Sequence, residues 1–258
     1  MLEACRFQSH VNFCGFMALY AYCLSDELSC ATFRGSVAGV GGAGPRLLPS
    51  GEIAAVVSDF DGERVSVERA HVFAHERVVH SVLQHVTPLP FRFGTLLSAE
   101  RLQSYIEANR DGLKKALEHV RGSVEMSVKI IWNAEEIKRE GDAFETAGEA
   151  DREPQAVVGE GARYLAARRR EILGDEHLKG RAEELAAWLE ERVGEFAADS
   201  EMSLRPNEQL VLRAAFLVGR PGLSGYQQRV EEARRERPDL RFLTSGPWPP
   251  YSFSNIKP

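Results

Sequence analysis

Residues 124–132, with the sequence VEMSVKIIW, carry the clearest secondary-structure pattern in the chain. Apolar and polar side chains alternate along them, which is typical of a β-strand with one buried face. We expect the buried face to carry the apolar side chains, Val124, Met126, Val128, Ile130 and Trp132. We expect the opposite face to carry the polar ones, Glu125, Ser127 and Lys129.

The chain before this strand predicts a first α+β unit. Strands are indicated at 17–24 (MALYAYCL), 52–60 (EIAAVVSDF) and 89–93 (LPFRF), the last at a sheet edge because it contains proline. Helices are indicated over 67–86 and from Ser98 to Gly122. With 124–132 as its last strand, the unit has the order β-β-α-β-α-β, and we expect its helices on one side of the sheet.

The chain after this strand predicts a smaller α+β unit. A long helical segment is followed by a strand over 208–218, a short helix and a last strand at 240–244. Acidic residues without an apolar period predict a linker between the units. The predicted organisation is a non-core extension (1–16), a first α+β domain (17–134), an acidic linker (135–158), a second α+β domain (159–245) and an extended Pro/aromatic tail (246–258).

Composition narrows the classes of function. The 258 residues are 43% hydrophobic and 27% charged, which is typical of a soluble globular protein. The net charge of -6 argues against a general nucleic-acid binder, which needs a basic face. The apolar stretch 11–24 is too short to span a bilayer. The four cysteines form no C-x-x-C pair, so we expect reduced thiols and neither a metal site nor a disulfide framework.

One glycine pattern matches a nucleotide-binding motif, but its sequence context does not fit that motif. Gly39, Gly41 and Gly44 match G-x-G-x-x-G, but that motif needs a strand before it and a helix after it. Pro45 and Pro49 follow instead. We therefore expect a glycine-rich loop over 29–51 and no cofactor.

Two polar positions lie next to apolar stripes. His75 and Glu76 flank the buried stripe of the predicted helix, and we expect them to be partly buried and held by hydrogen bonds. A metal or catalytic role at His75 and Glu76 is the alternative, although no third ligand is evident nearby. Arg92 is the one charge in an apolar strand, and it either pairs with Glu76 or points to the open face of the sheet.

Several short motifs, taken in order along nearly the whole chain, resemble the gas vesicle protein F/L family. They are LYAY at 19–22, AHERV at 74–78, LPFRFGT at 89–95, VEMSVK at 124–129, ARYL at 162–165 and GPWPPYSF at 246–253. The family-motif positions, structural or partner-binding, are His75, Glu76, Arg77, Arg92, Phe93, Gly94, Thr95, Tyr164, Pro247, Trp248, Pro249, Pro250 and Tyr251.

The resemblance implies two α+β domains, the first ferredoxin-like, in a non-enzymatic protein without catalytic residues, metal or cofactor. It implies a cytoplasmic protein at the gas vesicle that binds the hydrophobic shell protein and other accessory proteins, and prevents shell-protein aggregation during nucleation. No nucleic acid, membrane or small-molecule substrate is expected. The alternatives are an RNA-binding ferredoxin-like module and a metal-dependent enzyme that uses the region of His75 and Glu76.

The tail gives a structural expectation of its own. The three prolines within residues 246–253 restrict the backbone, so little entropy is left to lose when this segment docks. We expect it to pack back across its own domains and to bury Trp248. The alternative is that the tail stays exposed as a strip that binds a partner protein.

Overall fold

The computed structural model describes residues 18–28, 37–132, 160–204, 210–256 and 258, without the side chains of 160–175, 177, 210 and 211. The first sheet and its helices are β1 (Ala18–Ser25), β2 (Arg46–Ser50), β3 (Ile53–Phe60), α1 (Arg69–Leu83), β4 (Leu89–Pro90), β5 (Leu96–Leu97), α2 (Ala99–Ala108) and α3 (Arg110–Val120). The second sheet and its helices are β6 (Ser123–Ile131), α4 (Glu160–Val193), β7 (Asp199–Leu204), β8 (Leu210–Gly219), α5 (Leu223–Glu236) and β9 (Arg241–Trp248). The predicted extension 1–16 and linker 135–158 lie outside the described residues, so the predicted domain boundaries there stay a prediction.

The first sheet has the strand order β2-β3-β1-β4, and β5 also pairs with β1. Helix α1 packs on one face and α2 and α3 pack on the other. The expectation of helices on one side only is therefore wrong for this sheet. The physical reason lies in β1, where residues 19–24 are all buried, and a strand that is apolar on both faces needs cover on both.

Strand β2 lies within the segment that we predicted as a loop over 29–51. It forms a hairpin with β3, in which Ser50 pairs with Ile53 and Gly51 adopts a φ of 65°. A left-handed turn of this kind favours glycine. The proline at position 49 concealed the strand, and it is tolerated because β2 lies at the edge of the sheet. Pro90 likewise lies in an edge strand, as predicted.

The second sheet has the order β7-β8-β6-β9, with all three pairings antiparallel. Strand β6 is therefore a central strand of the second sheet, and our assignment of residues 124–132 to the first sheet is wrong. The alternation along β6 specifies which face is buried but not which strands lie beside it. The apolar face of β6 continues across the apolar face of β8, and this match selects the partner.

The predicted faces of β6 are confirmed. The buried face lies in one core with helices α4 and α5, and this core contains Val124, Met126, Val128, Ile130 and Trp132. On the opposite face Lys129 is exposed and Ser127 is half-buried, but Glu125 is buried.

The two units pack against each other on that opposite face. Leu217 of β8 points away from the core of its own sheet and joins the cluster that contains the buried side chains of α2 and α3. Thr87 donates a hydrogen bond from Oγ1 to the carbonyl oxygen of Ser123, at 2.8 Å, and Arg220 donates one to the carbonyl oxygen of Leu83. These contacts place α1 beside the second sheet.

The α+β class is confirmed. A ferredoxin-like arrangement of the first unit is compatible with these elements. It stays a prediction, because β6, which we had assigned to the first sheet, belongs to the second. Within the described residues, none of the helices combines the length and the apolar composition needed to cross a membrane.

Candidate functional site

The end of the chain returns to the junction between the two units. Strand β9 continues through 246–248, so the first residues of the predicted tail are strand. Residues 249–256, called the strap from here on, then cross from β6 to α1 and β4. Pro249, Pro250 and Ile256 of the strap are buried. The prediction that the tail packs back on its own domains is confirmed.

The strap meets α1 at His75, which is 2% exposed. Its Nδ1 lies 2.9 Å from the hydroxyl of Tyr20, and its Nε2 lies 3.0 Å from the hydroxyl of Tyr251. Burial lowers the pKa of His75 from 6.5 to about 4, because the interior disfavours the charged imidazolium. His75 is therefore neutral at physiological pH, and the prediction that hydrogen bonds hold it is confirmed.

The hydrogen bonds also fix the tautomer of His75. The Gly94 N–H donates to the Tyr20 hydroxyl oxygen at 3.1 Å. Tyr20 is fully buried, so its own proton needs an acceptor, and Nδ1 supplies one. The proton of the imidazole then sits on Nε2 and is donated to Tyr251. Since the Nδ1 lone pair is taken and Nε2 is protonated, neutral His75 has no lone pair left for a metal ion.

A second tyrosine explains Gly39, the first glycine of the G-x-G-x-x-G match. The Val40 N–H donates to the Tyr22 hydroxyl at 2.8 Å, and that hydroxyl lies 2.9 Å from Ser58 Oγ. A Cβ atom at Gly39 would collide with the Tyr22 hydroxyl. The backbone of this segment therefore packs closely against a buried tyrosine. Strand β2 follows it, where the nucleotide-binding motif would need a helix.

The strap meets the second sheet at Glu125. The Ser252 N–H donates to Glu125 Oε2 at 2.7 Å, and the Ser252 hydroxyl donates to Oε1 at 3.0 Å. Burial raises the pKa of the Glu125 carboxyl, and these two hydrogen bonds partly offset the effect. A third anchor runs from Ser254 Oγ to the carbonyl oxygen of Pro90, at 2.8 Å.

The predicted strand 89–93 is shorter in the structure and continues as a turn that carries the family motif. Gly94 has a φ of 85°, and Thr95 Oγ1 donates to the carbonyl oxygen of Arg92 at 2.7 Å. The ring of Phe93 lies edge-on to His75, with centroids 5.9 Å apart. Arg92 is exposed and makes no ion pair within the part of the chain that the structure describes, so the proposed pairing with Glu76 is wrong.

An open groove of about 750 Å³ lies between α1 and the end of β9. Phe73 of α1 and Trp248 of β9 line it, and these large apolar side chains are 47% and 41% exposed. The expectation that Trp248 is buried is therefore wrong. Its Nε1 donates to Ser245 Oγ at 3.1 Å, which holds the indole at the groove. The polar lining comes mainly from α1, through Glu76, Arg77, His80, Ser81 and Gln84.

The structure brings together some of the predicted site residues and separates others. His75, Phe93, Gly94 and Tyr251 meet in one network around Tyr20. Glu76 and Arg77 are exposed on the groove side of α1, so the expectation that Glu76 is partly buried is wrong. The side chain of Tyr164 lies outside the description.

Sequence reasoning missed three residues of this site, Tyr20, Tyr22 and Phe73. The two tyrosines stand in the LYAY motif of an apolar strand, and a buried tyrosine hydroxyl requires a hydrogen-bond partner. That requirement was the available clue. Among the described residues, no group of three or more His, Cys, Asp or Glu side chains is placed to hold a metal ion.

Comparison with known proteins gives one consistent result. The family model described as gas vesicle synthesis protein GvpL/GvpF matches residues 18–255. Gas vesicle protein L of Streptomyces sp. (strain CB03234) is 31% identical over 244 residues, which cover 84% of this chain and 86% of that protein. Gas vesicle protein L2 of Halobacterium salinarum is 25% identical over 254 residues, which cover 91% of this chain and 90% of that protein.

A solved structure shows the same fold. The crystal structure of the gas vesicle protein GvpF from Anabaena sp. PCC7120 superposes with a TM-score of 0.77 at 20% identity, covering 93% of this chain and 99% of that one. The order of the motifs, the extent of the family match and the common fold agree. The chain belongs to the GvpL/GvpF family of gas vesicle synthesis proteins, which is not a family of enzymes.

Proposed function

We propose that this protein binds the hydrophobic gas vesicle shell protein in the cytoplasm and keeps it from aggregating while a vesicle nucleates, alongside other accessory proteins. The observation that carries the proposal is the pair of exposed aromatic residues, Phe73 and Trp248, on one groove of a chain from a gas vesicle family.

The groove has the composition of a protein-binding surface. A few residues supply most of the binding free energy at interfaces, and tryptophan is enriched among them. Polar residues, among them Glu76, Arg77 and Gln84, line the same groove as the aromatic pair. An apolar centre with a polar rim is the usual anatomy of an interface that forms and separates.

A partner with exposed apolar surface fits this groove for a physical reason. Such a subunit associates unspecifically in water unless another protein covers its apolar surface. Among the described strands, β9 lies at an edge of the second sheet beside the groove, and an extended segment of the partner can add to it there. Binding of this kind needs no ATP.

The RNA-binding alternative has less support. It needs aromatic side chains on an open sheet face, where bases can stack. Helices cover both faces of the first sheet, and the outward positions of β6 are Glu125, Ser127 and Lys129.

The test follows light scattering of the shell protein as it is diluted from denaturant, with this protein at near-stoichiometric ratio. We expect the wild-type chain to suppress scattering and the double variant Phe73→Ser, Trp248→Ser to suppress it much less. The control is Val67→Ser, which removes an apolar side chain that is 85% exposed outside the groove. No suppression by wild type at tenfold excess would overturn the proposal, and an equal loss in the control would overturn the assignment to the groove.

A further inference from the structure

We propose that the strap is a releasable latch. It detaches from α1, β4 and β6 as one piece while both sheets stay folded, and part of the groove wall leaves with it. This inference concerns the chain itself and is independent of what occupies the groove.

The first reason is the way in which the strap is attached. The ladder of β9 ends with the pair Trp248 and Glu125, so the strap has no strand partner. Three anchors hold it instead, and each involves a side chain: Tyr251 to His75, Ser252 to Glu125, and Ser254 to the Pro90 carbonyl. The apolar contacts of the strap with the first core come from Phe253 and Ile256 near its end. A segment that lacks ladder hydrogen bonds opens at lower free energy than the sheets do.

The second reason is that release leaves polar groups able to bind water. Glu125 is buried under the strap although it prefers to be hydrated as a carboxylate. When the strap leaves, water replaces the two hydrogen bonds from Ser252, and the burial of the charge is relieved. The anchors therefore contribute less to closure than their short distances indicate.

The third reason is that the strap keeps its shape when it is free. Pro249 and Pro250 restrict the backbone in the open state. Two hydrogen bonds lie within the strap itself, from Tyr251 N to Pro249 O at 2.8 Å and from Ser254 N to Tyr251 O at 3.4 Å. The strap therefore loses little conformational entropy on closing, and opening and closing are both accessible.

Opening would change the groove. Pro249 and Tyr251 of the strap form part of its wall, together with Trp248. A detached strap removes this part of the wall and exposes the ring of His75. The closed latch is thus the state in which the groove is complete.

Native-state hydrogen exchange of the full-length chain tests the proposal through two amides. The Ser252 N–H bonds Glu125 across the latch, whereas the Phe91 N–H bonds the Tyr22 carbonyl inside the first sheet. We expect Ser252 to exchange faster than Phe91 and with a weaker dependence on denaturant. Ser252→Ala removes the hydroxyl anchor only, and should speed exchange of the amide at position 252 about tenfold while that of Phe91 is unchanged.

The matched control is Ser200→Ala, because the Ser200 hydroxyl also donates to a glutamate, at 3.1 Å from both Glu190 oxygens, on the side of the second sheet that α4 covers. It should leave the exchange of Ser252 unchanged. Equal exchange rates and equal denaturant dependence for Ser252 and Phe91, in wild type and in Ser252→Ala, would show that the strap is permanent core. An unprotected Ser252 amide in the wild type would show that the strap is not closed, and would equally overturn the proposal.

Discussion

His75 and Tyr251 are 176 positions apart in the chain, and His75 Nε2 lies 3.0 Å from the Tyr251 hydroxyl. One residue belongs to α1 and the other to the strap. Their hydrogen bond is therefore one of the links through which the end of the chain holds the first unit.

Tyr251→Phe should lower the free energy of unfolding by about 1 to 3 kcal/mol, because the buried Nε2–H of His75 loses its acceptor. Urea denaturation measures the change. Tyr226→Phe is the control, since the buried Tyr226 hydroxyl has no hydrogen-bond partner among the described residues. Its removal should be neutral or slightly stabilising. Equal losses in the two variants would contradict the role of the His75–Tyr251 bond.

Acid should destabilise the protein through His75. Its folded pKa of about 4 lies below the unfolded value of 6.5, so its contribution is complete above pH 6.5 and is lost as the pH falls through 4. The difference of about 2.5 pKa units corresponds to roughly 3 kcal/mol.

The measurement compares unfolding free energies of wild type and His75→Gln between pH 7 and pH 4. The gap between the two should shrink as the pH falls. Glu125 has the opposite effect on stability, because its raised pKa lowers the free energy of unfolding as the pH rises. Both proteins contain Glu125, so its effect does not change the gap between them. A gap that is constant with pH would show that folding leaves the pKa of His75 unchanged.

Gly94→Ala should cost about 1 to 2 kcal/mol, because a φ of 85° strains any residue with a Cβ atom. The added methyl group meets no atom within 4 Å, so the loss would measure backbone strain alone. Gly112→Ala is the matched control in α3, where the space is equally open and the backbone is helical. It should stabilise the protein by about 0.5 to 1 kcal/mol. Thermal denaturation distinguishes the two signs, and a stabilising Gly94→Ala would contradict the turn geometry.

Trp248→Ala should change stability by only about 1 kcal/mol, since the side chain is 41% exposed. Trp132→Ala removes a side chain that is 7% exposed in the core of the second sheet, and should cost about 3 to 5 kcal/mol. Chemical denaturation of both variants gives the comparison. Similar losses would mean that Trp248 belongs to the core and is not available at the groove.

The sequence predicts what is local and fails where distant segments meet. Alternation along β6 correctly gave its two faces, because the period of a strand is a property of the strand alone. Its partners β8 and β9 lie far along the chain, and no local pattern specifies them. Strand β2 was missed because it has only five residues and one of them is proline. Its two leucines are too few to form a recognisable strand pattern.

The candidate site shows the same limit. The resemblance identified His75, Gly94 and Tyr251 as family positions, but it did not place them in contact. Their contact depends on Tyr20, whose hydroxyl is hydrogen-bonded to both His75 and Gly94. In the sequence Tyr20 has the pattern of an ordinary core residue. Trp248 was expected to be buried because it is large and apolar, a tendency that fails at a binding surface.

The central place of β6 in the second sheet has a consequence for synthesis on the ribosome. β6 emerges directly after the first unit, long before β8 and β9 exist to pair with it. During that interval its apolar face lacks the neighbours that cover it in the native state, and exposed strands of this kind associate with other chains. The interval before β8 and β9 emerge is therefore the period in which the nascent chain is most open to association with other chains.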